Sequence, residues 1–170
     1  MKKNICLIGM PGAGKSTIGR LISERLNMKH IDGDAIMEEA EGMKLQEIIN
    51  TKGNDYVLNL EGKVLKELDV EGYVISPGGS CIYYPDGMAN LSEIATVIYL
   101  KVSWPALEKR CTNVFGRDII FQPGETLKDL YDRRTPLYEK YAQITVDTSD
   151  FEKSETVEAI LKILSAQSEH

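Results

Sequence analysis

Four consecutive apolar residues, Ile5-Cys6-Leu7-Ile8, run straight into Gly9-Met10-Pro11-Gly12-Ala13-Gly14-Lys15-Ser16, and a helical pattern begins directly behind them. An apolar run without alternation reads as a strand buried on both faces, as in a parallel sheet. After Lys15, the residues Ile18, Leu21, Ile22 and Leu26 recur at helical spacing until Asn27 ends the pattern. The segment between strand and helix fits G-x-x-x-x-G-K-[ST] in the context that gives this motif its meaning. Its glycines permit positive φ angles that turn backbone N–H groups inward, so that they form a nest for phosphate oxygens at the positive end of a helix. Lys15 adds a mobile cation for the β- and γ-phosphates, and the Ser16 hydroxyl can ligate Mg²⁺. The alternative is a flexible glycine turn at a helix start, but the full pattern arises by chance in roughly one chain of this length in a hundred, or fewer. Gly12, Ala13, Gly14, Lys15, Ser16 and Thr17 are therefore assigned to the phosphates of ATP.

Further along, a short strand at Lys29–Ile31 leads to Asp32-Gly33-Asp34, and helical stretches follow around Ala35–Ala40, Leu45–Thr51 and Tyr56–Leu68. Tyr73–Ser76 reads as a second buried strand ending in Pro77-Gly78-Gly79, and Thr96–Lys101 as a third. Trp104–Cys111 should be helical. Residues 112–124, with two glycines and a proline, are a candidate lid before a helix at Thr126–Ala142. A last strand, Ile144–Asp147, and an amphipathic helix carrying Val157, Ile160, Leu161 and Leu164 complete an α/β fold with a mainly parallel sheet. Ligands of such a sheet sit beyond the carboxyl ends of its strands, where Gly9, Asp32, Ser76 and Arg110 fall.

The chain has 170 residues, which predicts a single domain over 1–170 with an acceptor-binding segment at about 32–70. A net charge of −6 disfavours nucleic acid or an anionic membrane as partner. Three cysteines without CxxC spacing and two histidines argue against zinc, and the thiols are expected to be reduced. The apolar run before Gly9 is too short for a signal peptide or a membrane span, so a cytoplasmic location is expected. The expected state is a monomer, or at most a weak dimer.

Asp32 and Asp34, two apart, would point the same way in extended backbone. Asp34 is then the candidate to accept or orient a substrate hydroxyl's proton, with Asp32 near the metal shell. A turn and helix cap is the competing reading of Asp-Gly-Asp. Gly78, Gly79 and Ser80, behind a buried strand, would let backbone N–H groups approach a ligand closely. Arg110 and Arg117 bracket the start of the candidate lid, and Arg133 and Arg134 lie in the helix behind it. Arg117 is best placed to stabilise charge on the γ-phosphoryl oxygens when the site closes.

Taken in order, these features resemble the shikimate kinase family. The carriers are Gly9–Arg20, Asp32-Gly33-Asp34, Gly78-Gly79, Arg117 and, most diagnostic, Arg134-Thr135-Pro136-Leu137-Tyr138. The resemblance implies a three-layer P-loop kinase fold with a central five-stranded parallel sheet, a helical acceptor-binding segment and a mobile lid. It also implies Lys15, Ser16 and Asp32 around MgATP, Asp34 and Gly78-Gly79 on the acceptor, Arg110 near adenine, Arg117 on the phosphoryl group and Arg134 on the acceptor's carboxylate. In three places the chain departs from the family pattern: Leu58 stands where the family carries an arginine, Ser80 replaces a third glycine, and Arg117-Asp118 replaces arginine-proline. Loss of one of two carboxylate-binding guanidinium groups typically costs about 1.5–3 kcal/mol. Arg133 points about 100° away from Arg134 on a helix and is an uncertain substitute.

The expected activity is transfer of the γ-phosphoryl group of MgATP to a hydroxyl of shikimate or a related small polyol or acid. The alternatives are a gluconate-kinase-like sugar-acid kinase and a catalytically weak ATP-binding protein with a regulatory or binding role.

Overall fold

Strand β1 (Asn4–Ile8) is buried along its whole length at the centre of the computed structural model, which describes residues 2–111 and 123–168. Around it lie β2 (Lys29–Asp32), β3 (Tyr73–Ser76), β4 (Ala95–Lys101) and β5 (Ile144–Asp147), in the order β2-β3-β1-β4-β5. Every pairing is parallel, with Cys6 opposite Ile75 on one side and Val97 on the other. Strands hydrogen-bonded on both sides and covered on both faces call for apolar sequence, which is what Ile5–Ile8 of β1 and Val97–Leu100 of β4 supply. Asn4 is the polar exception at the amino end of β1. Its Nδ2 donates to the carbonyls of Val70 (2.7 Å) and Ile94 (3.0 Å), and its Oδ1 accepts from the Tyr73 amide (3.0 Å). The loops entering β3 and β4 are thereby tied to the central strand, and the buried amide is left satisfied.

The helices are α1 (Lys15–Leu26), α2 (Gly33–Glu41), α3 (Leu45–Lys52), α4 (Asn54–Glu67), α5 (Pro85–Ile94), α6 (Trp104–Arg110), α7 (Leu127–Tyr141) and α8 (Lys153–Ser168). α1 buries Ile18 and Ile22 against the sheet and stops at Asn27, whose φ of 53° turns the chain out of the helix. The main core spans both faces of the sheet, while α2, α3 and α4 enclose a smaller cluster of Met37, Ile48 and Leu60. Val64, partly buried, packs against both.

The five strands and most helices lie where hydrophobic periodicity puts them. α5 is an addition: its Pro85 and Gly87 read as breakers, yet proline costs nothing in a first turn and Met88 and Leu91 are fully buried beneath. At Asp32-Gly33-Asp34 the extended-backbone picture is corrected. Asp32 ends β2 and caps α2, its Oδ1 accepting from the Ala35 amide at 2.9 Å, while Asp34 already sits in the first helical turn. Strand alternation stops where this cap closes the turn, so the two carboxylates are related by a helix start. The candidate lid at 112–124 falls almost wholly outside the described residues.

The start of α2 fits because Gly33 has no side chain: a Cβ there would lie 2.7 Å from the Gly78 backbone nitrogen. Alanine normally gains up to about 1 kcal/mol over glycine inside a helix. Gly33→Ala is expected instead to destabilise the fold by about 1–3 kcal/mol, since backbone cannot rotate away as a side chain would. Urea midpoints of the two chains, at an unchanged denaturant slope, measure this.

Candidate active site

The glycine loop joins β1 to α1 with Gly12 and Gly14 at φ 85° and 88°, a region that side-chain-bearing residues rarely enter. Gly14 precedes α1 without a side-chain cap, so the first-turn N–H groups remain for an anion. From the neighbouring strand, Ser76 Oγ donates to the Lys15 carbonyl (3.1 Å) and lies 3.0 Å from His30 Nε2, bracing the loop from beneath. Lys15 Nζ is folded back and donates to the carbonyls of Gly9 (2.8 Å) and Met10 (2.9 Å). Burial brings the Lys15 ammonium down to about 8, with Cys81 opposing that shift and Arg134 adding to it.

Two cavities meet at this loop. The first, about 990 Å³, is lined by the loop from Pro11 to Ile18, the end of α6 and the segment from Thr148 to Lys153. Gly12, Ala13, Gly14, Lys15, Ser16 and Thr17 all face it. So does Arg110, fixed by Nη2 donating to the Thr148 carbonyl (2.5 Å). The second cavity, about 690 Å³, lies between the loop, α2, α4 and α7. Pro11, Lys15 and Ser16 line both.

The second cavity gathers most of the remaining candidates: Asp32 and Asp34 from the start of α2, Leu58 from α4, Gly78-Gly79-Ser80 behind β3, and Arg134 from α7. Arg117 lies outside the described residues. Gly79 is wedged tightly, since a Cβ there would come within 2.8 Å of Arg134 Nη1 and 3.1 Å of Pro11 Cδ. Its carbonyl accepts from the Tyr138 hydroxyl at 2.6 Å, locking this turn to α7. Ser16 and Asp32 present a hydroxyl and a carboxylate, the hard oxygen donors that Mg²⁺ selects. No cluster of three or more His, Cys, Asp or Glu that could hold a metal occurs among the described residues.

Arg133, the uncertain substitute, also lines this cavity, as do Glu61, Tyr83 and Tyr84, which were not among the expected site residues. Glu61 is buried, accepting from Ser80 Oγ (2.9 and 2.8 Å) and the Tyr84 hydroxyl (3.1 Å). Burial pushes its carboxyl above the ordinary range. The bonds from Ser80 and Tyr84 and the charge of Arg134 pull it down, while Asp34 adds to the rise. The neighbouring tyrosines directly behind the Gly-Gly turn were the available signal for this wall. On the nucleotide side, the polar run Thr148-Ser149-Asp150 at the carboxyl end of β5 was the equivalent clue.

The family model described as shikimate kinase matches residues 11–165 of this chain. The chain belongs to the shikimate kinase family. A shikimate kinase from Sulfurihydrogenibium sp. (strain YO3AOP1) is 37% identical over 160 residues, covering 94% of this chain and 96% of that protein. One from Haemophilus influenzae is 37% identical over 153 residues, covering 88% and 85%. The solved shikimate kinase from Acinetobacter baumannii in complex with shikimate superposes with a TM-score of 0.83 at 28% identity, over 98% of this chain and 95% of that one. The Aquifex aeolicus enzyme gives 0.80 at 31%, over 97% and 98%. Members of this family are phosphotransferases that use MgATP and act on a hydroxyl group, and this chain is one of them. Among the described residues, no helix is long and apolar enough to cross a membrane.

Glu61 supplies a pH test of the second cavity. Its folded pKa is raised, so the folded state keeps a proton that the unfolded chain releases near pH 4.3 or so. Glu61 therefore favours folding below that pH and loses this contribution as pH climbs through its folded pKa. Glu61→Gln keeps the shape without titrating. The stability of Glu61→Gln relative to the parent chain is expected to rise between about pH 4 and pH 7, read from urea midpoints at both. A pH-independent difference would mean that Glu61 titrates alike in both states.

Proposed function

We propose that this chain transfers the γ-phosphoryl group of MgATP to a hydroxyl of shikimate. The observation that carries the reading is the wall shared by the two cavities, where Lys15 and Ser16 face both. A nucleotide in the larger cavity, with its phosphates on the uncapped end of α1, would present its terminal phosphorus to the smaller one. In this reading Lys15 exchanges the carbonyls of Gly9 and Met10 for phosphate oxygens. Asp34 orients the acceptor hydroxyl and takes its proton as the oxygen attacks phosphorus and ADP departs. Gly78, Gly79 and Ser80 shape the approach, Arg134 meets the acid's carboxylate, and Arg117 is assigned to the phosphoryl oxygens. Ser16 and Asp32 would hold Mg²⁺, which when bound neutralises charge on the β- and γ-phosphate oxygens. We read the enzyme as a monomer, or at most a weak dimer, at work in the cytoplasm.

Leu58 favours a second reading. An apolar side chain occupies the position at which the resemblance places a carboxylate-binding arginine, as would suit another small acid or polyol, gluconate among them. ADP release measured over shikimate, gluconate and cyclitols separates the two. Turnover on shikimate far above the rest supports the first reading, and preference for another acceptor overturns it. Tight ATP binding without turnover on any acceptor would instead indicate a binding protein.

Two substitutions test the roles. Lys15→Ala is expected to lower kcat by roughly 10²–10³-fold or more with the fold intact, because the cation acts on charge that develops during transfer. Near-normal turnover would remove that assignment. Asp34→Asn should spare ATP affinity and depress kcat, since it removes a proton acceptor while preserving shape. Equal losses in ATP affinity and turnover would place Asp34 in the metal shell.

A further inference from the structure

We infer that Arg133 supplies the second guanidinium for the acceptor's carboxylate, in place of the arginine that Leu58 displaces. The inference rests on the reading of shikimate as acceptor and names the residue that makes this cavity selective for an acid.

The one-residue offset on α7 separates Arg133 and Arg134 by about 100° around the helix, yet both line the acceptor cavity. Tyr83 accounts for this. Both guanidinium carbons lie 5.4 Å from the centre of its ring, within range for attraction to the π face, and long arginine stems bridge the angular gap. Arg133 is anchored from outside by Glu125, its Nη2 lying 2.7 and 3.0 Å from the two carboxylate oxygens. A guanidinium carries five N–H donors, and one acceptor at one end leaves others for a ligand. Each arginine buries its Nε without a partner among the described residues, so neither fork is saturated within the protein.

Arg134 is 5% exposed, whereas the Arg133 side chain is 35% exposed. The first is a buried post and the second a partly exposed group at the cavity's rim. Among the described residues, α4 brings no cation to this cavity: position 58 is leucine, and the Glu61 carboxylate there is occupied by Ser80 and Tyr84. A carboxylate placed between Arg133 and Arg134 would meet two planar forks, which bind carboxylates in bidentate fashion.

The test uses the whole chain with shikimate and with the neutral analogue in which its carboxylate is reduced to the alcohol. Arg133→Met is expected to raise KM for shikimate roughly tenfold or more, with kcat within about twofold and KM for ATP unchanged. KM for the neutral analogue should not move. Arg133→Lys, which keeps the charge and stem but loses the fork, should fall between. Equal losses on acid and neutral acceptor, or no loss on either, overturn the inference while leaving shikimate phosphorylation standing. Should Arg133→Met not fold, Arg133→Lys decides by the same acid-to-neutral comparison. If the parent chain does not turn over shikimate at all, both readings fall together.

Discussion

The structure depends on the helix end that follows the glycine loop. α1 begins behind Gly14 without a side-chain cap, so several backbone donors converge on a space the protein leaves to an anion. An ordinary helix would recover about 1 kcal/mol from a serine or aspartate cap. Here that gain is forgone, and the loop is held by packing instead. Gly9 passes so close to β4 that a Cβ would lie 2.9 Å from the Leu100 carbonyl oxygen, and Gly12 rests against Cys111 Sγ. Ser76 reaches the Lys15 carbonyl from β3. The central position of β1, with β3 and β4 on its two sides, is what makes support from both directions available.

The acceptor side shows two departures from the family pattern that complement each other physically. Without an arginine at position 58, the Glu61 carboxylate would stand in low dielectric with Arg134 as its main positive neighbour, and an unsatisfied buried carboxylate is costly. Ser80, where the resemblance has glycine, brings a hydroxyl to both Glu61 oxygens, and Tyr84 adds a second donor. The hydroxyls satisfy the lone pairs without neutralising the charge, which is why burial still raises this carboxyl.

Much of this was legible in the sequence because the governing signals were local. The buried strands announced themselves as apolar runs, and the phosphate loop as glycines with a lysine between strand and helix. What escaped was non-local or depended on the length of a side chain. α5 was hidden because its two deeply buried residues, Met88 and Leu91, stand among a proline and a glycine. The Asp32-Gly33-Asp34 segment carried strand and cap signals together, and the cap prevailed because the Ala35 amide had no other acceptor within the first turn. Helical geometry left Arg133 an uncertain substitute. Backbone angles fix where a Cβ points, but a guanidinium lies several bonds further out, and Tyr83, some fifty positions earlier in the chain, drew it round.

Lys15 shows how such a site can be ready without being inert. A buried ammonium with no partner would be strongly disfavoured, and the Gly9 and Met10 carbonyls prevent that by accepting its protons. Those carbonyls carry partial charges, whereas phosphate oxygens carry formal ones, so exchange of one set for the other gains the difference between a neutral and a charge-assisted bond. The lowering of the ammonium to about 8 has burial as its largest cause, with the like charge of Arg134 adding to it. On the proposed reading, the cation is held where it is needed but incompletely compensated, so that the nucleotide and above all the charge that develops during transfer complete its environment.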